Sequence, residues 1–240
     1  MKILRRAADA LVSLLFPPHC AFCRDATPSG QHLCESCRAK AARIERPYCQ
    51  QCSQPFDGAI DGNFTCVNCG DRQFHFDCAV SRYRSAGLVR ELIHRFKYER
   101  RLYLRSQLAE WLAETLEDER IRAQPCDYLV PVPLHSARMR EREFNQADVL
   151  ARLLARRAGA PVLAALRRIR YTTTQTRLDR EERMQNLRNA FRVRQTSRVS
   201  GSHLILVDDV FTTGSTVDEC ARVLKQAGAA SVRVVTVARG

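Results

Sequence analysis

Two adjacent carboxylates, Asp208 and Asp209, stand between an apolar run, Leu204 to Val207, and a run of small residues, Thr212, Thr213, Gly214, Ser215 and Thr216. Four consecutive apolar residues suit a strand buried on both faces of a parallel sheet, and the small residues open a helical pattern. Such a loop turns backbone N–H groups, backed by the positive end of the helix dipole, toward an anion. Gly214 lets the chain come close to it, and the hydroxyls of Thr212, Thr213, Ser215 and Thr216 can add hydrogen bonds. Carboxylates at the carboxyl end of the strand can accept bonds from vicinal sugar hydroxyls, in the crevice where open α/β sheets bind ligands. The pattern predicts a sugar-phosphate site. The alternative is an ordinary capped helix after a buried strand, with both acids solvated in a turn.

Thiolates are the second source of chemistry. Cys20-x-x-Cys23 with Cys34-x-x-Cys37, and Cys49-x-x-Cys52 with Cys66-x-x-Cys69, form two quartets. A Cys-x-x-Cys turn sets two thiolates on one side of a tight loop, and two such knuckles complete a tetrahedral zinc shell. With all positions taken by protein, no place remains for catalytic water, so the expected zinc is structural, one ion or two. Disulfides are the alternative, and a single metal at Cys20, Cys23, Cys34 and Cys37 is another. Spacing leaves open whether the knuckles pair sequentially or cross-braced. Cys78, Cys126 and Cys220 lie in apolar contexts and read as packing residues. His19, His32 and His75 flank the knuckles and are not expected to be ligands.

Alternating strands and helices must hold these groups. A strand over 79–83 leads to an amphipathic helix from Gly87, with Leu88, Leu92, Ile93 and Phe96 on one face. Lys97 and Tyr98 lead into a second helix over 102–116, with Trp111 in the core. A strand over 127–134 follows, and Pro131 and Pro133 place it at a strand end entering a loop. Arg138, Arg140 and Arg142 then read as a basic loop. Asn145 caps a helix over 145–156, and 162–169 is strand-like. The polar segment 171–188 is too long for a tight turn and reads as a lid. A helix ending at Gly228 and a Val-rich strand over 231–238 complete the chain. This alternation predicts an α/β fold, a parallel sheet with helices on both faces.

The chain's 240 residues, 45% of them hydrophobic, can hold a module over 1–78 and an α/β domain over 79–240. Its formal charge of +13 is uneven: residues 135–200 hold 16 arginines, no lysine and 6 acids. Arginine forks suit bidentate phosphate contacts, and such a field favours polyanions; genomic base composition is the plainer reading. Single-strand binding also needs stacking, and Phe22, Phe56, Phe64, Phe74 and Phe76 cluster near the knuckles, where they could equally be core. Lys2, Arg5 and Arg6 precede a short apolar stretch, but Asp9 and Pro17-Pro18-His19 do not fit a lipoprotein signal before Cys20. Ile3, Leu4, Ala7, Ala10, Leu11, Leu14 and Leu15 share one face of an expected docking helix. No apolar run reaches bilayer length, so a soluble, cytoplasmic protein is expected.

The stretch from Val207 to Thr216 resembles the phosphoribosyl pyrophosphate (PRPP) signature of type I phosphoribosyltransferases. Together with Val130 to Leu134, Phe144-Asn145-Gln146 and the paired cysteine motifs, it makes nearly the whole chain resemble the ComF family, also named for GntX. That resemblance implies PRPP with Mg²⁺ lying across Asp208 and Asp209, the catalytic acids, and the loop of Val210, Thr212, Thr213, Gly214, Ser215 and Thr216. It implies a pyrophosphate loop with Pro133, Leu134 and Arg138, and a lid carrying Gln175, Arg183 and Asn186. An acceptor would displace pyrophosphate at the anomeric carbon, through mainly electrostatic catalysis. Arg177 and Glu143 stand where the family more often has glycine. The resemblance further implies a role in DNA uptake and natural transformation, with single-stranded DNA and competence proteins as partners. Two alternatives are a phosphoribosyltransferase for nucleobase or nucleotide salvage, and a non-catalytic zinc-stabilised DNA-binding adaptor.

Overall fold

In a computed structural model, the described residues are 18–60, 62–171 and 187–240. The expected N-terminal helix and the lid residues Gln175, Arg183 and Asn186 lie outside them. The apolar run before the acid pair becomes an inner strand of a four-stranded parallel sheet. The strands are β1 (Cys78–Arg84), β2 (Tyr128–Pro131), β5 (His203–Phe211) and β6 (Ser231–Arg239), in the order β1-β6-β5-β2. β6 is buried along its whole length, as a strand covered on both faces must be. A separate antiparallel ribbon joins β3 (Leu166–Arg168) to β4 (Phe191–Val193).

Helices cover both faces of the sheet. Val80, Leu129, Ile205, Val207, Val235 and Val237 share a core with α1 (Gly87–Tyr98), α2 (Arg105–Ala113) and α4 (Gln146–Ala158). A short helix, α3 (Ser136–Arg142), precedes α4. On the opposite face Val130, Leu204, Leu206, Val232 and Val234 pack against α5 (Ser215–Gln226). Cys20, Leu33 and Cys37 of the first quartet's module join the α1–α2 core, whereas all four cysteines of the second quartet join the α5 core. The segment between them runs along the outer edge of β1, with Ile44 N donating to Arg82 O and Arg84 N to Ala42 O, each at 2.8 Å. That pairing covers a strand edge that would otherwise be open.

Several expectations hold in detail. β2 ends at Pro131, Trp111 is buried, and the Asn145 side chain accepts from Ala147 N at 3.1 Å as the cap of α4. Others need correction. Of the strand expected over 162–169, only Leu166–Arg168 is extended, and it pairs in the ribbon; Val162 makes an isolated bridge to Leu129. Its alternation of buried Leu166 and exposed Arg167 suits a half-buried antiparallel pair, not a strand covered on both faces. The expected basic loop is helical, because Ala, Arg, Met and Glu are good helix formers and His135 Nδ1 accepts from Ala137 N at 3.2 Å. The helix expected over 102–116 divides into α2 flanked by 3₁₀ turns at Leu102–Leu104 and Glu114–Glu117. Glu143 closes α3 with φ 66°, so the left-handed turn is made without the glycine that would favour it.

Candidate functional site

The acid pair lies within β5, not in the turn after it, because β6 continues alongside: Asp208 is in register with Thr236 and Phe211 with Arg239. Neighbouring strand residues point to opposite faces. Asp209 turns toward α1, where Lys97 Nζ meets its Oδ1 at 2.8 Å. Its Oδ2 is buried and has no hydrogen-bond partner among the described residues. Asp208 turns toward α5 and is half-buried, and its Oδ1 accepts from Asp209 N at 2.9 Å. Burial and the neighbouring Asp209 charge push its carboxyl up to about 7, against the pull of Lys97.

After Phe211 the chain turns through Thr212 and Thr213 to Gly214, which has φ 78° and starts α5. A Cβ there would sit 2.5 Å from Phe211 Cζ, so both backbone angle and space require glycine. The helix start has no side-chain cap; Ser215 N reaches only Thr213 Oγ1, at 3.4 Å. Its leading N–H groups have no intrahelical partner and could donate to an anion. Ser215 is buried, Val210, Thr213 and Thr216 are half-buried, and Thr212 is exposed. Two arginines hold the loop from behind. Arg239 Nη1 donates to Phe211 O at 3.2 Å and Thr212 O at 2.7 Å, and Arg72 Nη1 donates to Thr213 O at 3.2 Å.

Pro133 and Leu134 follow β2 and are half-buried. Asn145 Nδ2 donates to Val132 O at 3.0 Å and ties the start of this loop to α4. Arg138 lies on α3 and meets Glu141 at 3.7 Å. Three further residues emerge that the sequence reading did not assign to the site. Lys97 pairs with Asp209; its signal was the Val89–Ile93–Lys97 row, which puts a lysine one turn beyond two buried residues. Arg142 is 8% exposed, lies 4.8 Å from the Tyr98 ring centre, and favours the ionised form of Asp208. Arg168, on the inner face of the ribbon, has its pKa lowered by burial, against the pull of the Asp208 carboxyl.

The sulfur atoms of Cys20, Cys23, Cys34 and Cys37 gather in one cluster, and those of Cys49, Cys52, Cys66 and Cys69 in another, each within 4.8 Å of one another. Tetrahedral zinc with bonds of about 2.3 Å sets sulfurs about 3.8 Å apart. Cys23 and Cys34 Sγ are 3.5 Å apart, and Cys52 and Cys66 Sγ 3.7 Å, so both sets fit the ion. The knuckles therefore pair sequentially, and all eight are free thiols, not disulfides. Burial pushes the thiols of Cys78 and Cys126 up to about 11 and that of Cys220 higher still, as expected of packing residues. His32 packs on Tyr103, His75 reaches Asp218, and neither they nor His19 join a cluster. A cavity of about 260 Å³ separates Cys52 and Cys69 from Thr212, Thr213 and Arg239.

Residues 11–71 match the double zinc ribbon domain, and residues 146–240 match the phosphoribosyl transferase domain. The DNA utilization protein YhgH of Escherichia coli (strain K12) is 36% identical over 230 residues, covering 94% of this chain and 99% of that protein. Competence protein F of Haemophilus influenzae is 31% identical over 212 residues, covering 86% of this chain and 90% of its own length. Competence protein ComFC of Bacillus subtilis is 27% identical over 220 residues, covering 87% and 85%. With two four-cysteine clusters, a parallel sheet carrying a phosphoribosyltransferase domain, and relatives alike along nearly their full length, this chain belongs to the ComF family.

Proposed function

We propose that this protein binds PRPP with Mg²⁺ at the acid pair and glycine loop, and acts on single-stranded DNA in a cytoplasmic step of DNA uptake with other competence proteins. The observation that carries the ligand half is Asp209 Oδ2, a buried acceptor without a partner among the described residues, on the strand that leads into an uncapped helix start. A sugar hydroxyl would satisfy it. Asp208 supplies a second acceptor, and the leading N–H groups of α5 with the hydroxyls of Thr213, Ser215 and Thr216 take the 5′-phosphate. Pro133, Leu134 and Arg138 bound the space for pyrophosphate. The carboxylates suit a hard divalent cation, and Mg²⁺ arriving with PRPP would neutralise the pyrophosphate.

Lys97 pairs with Asp209 Oδ1 and so fixes which oxygen faces the ligand. Carboxylates on one side and cationic groups on the other would stabilise charge separation as pyrophosphate leaves the sugar. Support for the DNA half comes from the names of the competence and DNA utilization relatives and from the +13 charge. Among the described residues no helix is long and apolar enough to cross a membrane. Calorimetric titration of the zinc-loaded protein with PRPP, with and without Mg²⁺, tests the ligand half. Saturable binding that strengthens with Mg²⁺ is expected; heats equal to those of buffer overturn it.

A further inference from the structure

The β3–β4 ribbon has two unlike faces. Leu166 and Phe191 are buried on one, with Arg168 and Val193 half-buried beside them, whereas Arg167, Arg192 and Arg194 are exposed on the other. Arg167 and Arg192 are directly opposed in register. Like charges directly opposed destabilise a strand pair, and no carboxylate occurs in residues 164–171 or 187–200 to offset them. None of Arg167, Arg192 and Arg194 makes an ion pair among the described residues. An anionic ligand would relieve their mutual repulsion.

An aromatic residue stands at the end of the ribbon. Ile169 N donates to Ala190 O at 2.8 Å, continuing the pairing and setting Ile169 on the Arg167 side, and Tyr171 follows after a bend at Arg170. They are 37% and 51% exposed. The Tyr171 ring meets His135 edge-on at 5.2 Å, which sets it beside the loop of Pro133 and Leu134. Arg194 directly follows β4, and its N donates to Ala165 O at 2.7 Å, which ties it to the residue before β3. A row of cations ending in an exposed aromatic ring is the chemistry that holds single strands: charge for the backbone, a flat ring for a base.

We infer that the outer face of the β3–β4 ribbon is the docking surface for single-stranded DNA, with phosphates on Arg167, Arg192 and Arg194 and a base stacked on Tyr171. This names the surface for the DNA half of the function proposed above and rests on it. Fluorescence anisotropy of a labelled oligothymidine at low salt, with zinc-loaded full-length protein, compares the parent with Arg167→Glu, Tyr171→Ala and Arg156→Glu. Arg156 is an exposed arginine on α4 and gives the same charge change away from the ribbon. Arg167→Glu should weaken binding about tenfold and reduce the salt slope, while the melting temperature holds or rises, because the introduced carboxylate would face Arg192 as an opposite charge. Tyr171→Ala should weaken binding roughly fivefold or more, and Arg156→Glu less than twofold. PRPP binding should be unchanged in Arg167→Glu. If the parent binds DNA but Arg167→Glu binds as tightly, or Arg156→Glu loses as much, the ribbon is not the surface. If the parent binds no oligonucleotide, the DNA half of the function falls, and this surface with it.

Discussion

The two cysteine quartets have the same ligand set and a similar spacing, but they occupy different places in the molecule. In the first, Cys23 is exposed and Cys34 half-buried, and the module packs on the α1–α2 layer. One tie to the α/β domain is Arg95, which donates to Ala21 O, and another is Arg38, which donates to Gln107 Oε1 at 3.4 Å. In the second, all four cysteines are buried; Arg120 donates to Gln50 O at 2.9 Å, and the tie that reaches the candidate site is Arg239, whose Nη2 lies 3.8 Å from Cys52 Sγ while its Nη1 holds the carbonyls of the glycine loop. Arg72, three residues past Cys69, reaches Thr213 O. The same motif thus serves as an outlying clamp in one place and as the back wall of the candidate site in the other. A ligand set alone does not say what a zinc module supports; the carbonyls its neighbours bind do.

The widest separation between the quartets is expected from loss of metal. Cys52→Ser strands three buried thiols and removes metal binding that contributes about 10 kcal/mol or more to small zinc modules. It should lose one zinc per chain by elemental analysis, melt far below the parent, and fail to bind PRPP. Cys23→Ser should lose one zinc with PRPP affinity within twofold of the parent. Equal loss of PRPP binding in both variants would break the contrast.

A smaller effect isolates the ties themselves. Arg239→Met leaves the carbonyls of Phe211 and Thr212 without their donor, costing about 2–4 kcal/mol of stability, and should weaken PRPP about tenfold. Arg95→Met should cost about 1–2 kcal/mol and leave PRPP binding unchanged. Melting curves and calorimetry on the two variants check both. An Arg239→Met protein that binds PRPP like the parent would show that the second module does not shape the loop.

Proton linkage gives a smaller effect again, on the second quartet's side of the sheet, which Asp208 faces. Its carboxyl is pushed from an ordinary 3.8 up to about 7, so between those values the native state binds more protons than the unfolded chain. The stability this group contributes is complete below about pH 4 and lost as pH rises through about 7. Asp208→Asn should therefore melt higher than the parent at pH 8 by an amount on the order of 1–3 kcal/mol, with the difference shrinking toward pH 5. A difference that does not vary with pH would place the carboxyl in water.

The sequence made the local patterns legible. The apolar run, acid pair and glycine loop lie within a few residues of one another, and so do the knuckles, and each pattern carries its own geometry. What stayed hidden depends on distant partners. Asp208 and Asp209 are strand residues because β6 runs on to Arg239 beside them. The role of Lys97 requires the packing of α1 against the far end of β5, and the burial of Arg142 requires Tyr98. The pairing of the knuckles was open from spacing and is settled by which sulfurs the chain brings together. Residues 162–169 read as one more sheet strand because a short run opening on apolar residues carries no label for the sheet it joins.

The most direct test of the acid pair as the PRPP site is calorimetry on a paired variant, since Asp209→Asn alone would leave the Lys97 ammonium buried without its partner. In Lys97→Met/Asp209→Asn the charge pair is removed as a unit, so melting should stay close to the parent. Losing a charge-assisted acceptor worth about 1.5–3 kcal/mol should weaken PRPP with Mg²⁺ tenfold or more, while affinity for a labelled oligothymidine stays within twofold. A folded double variant that binds PRPP as tightly as the parent would contradict the assignment.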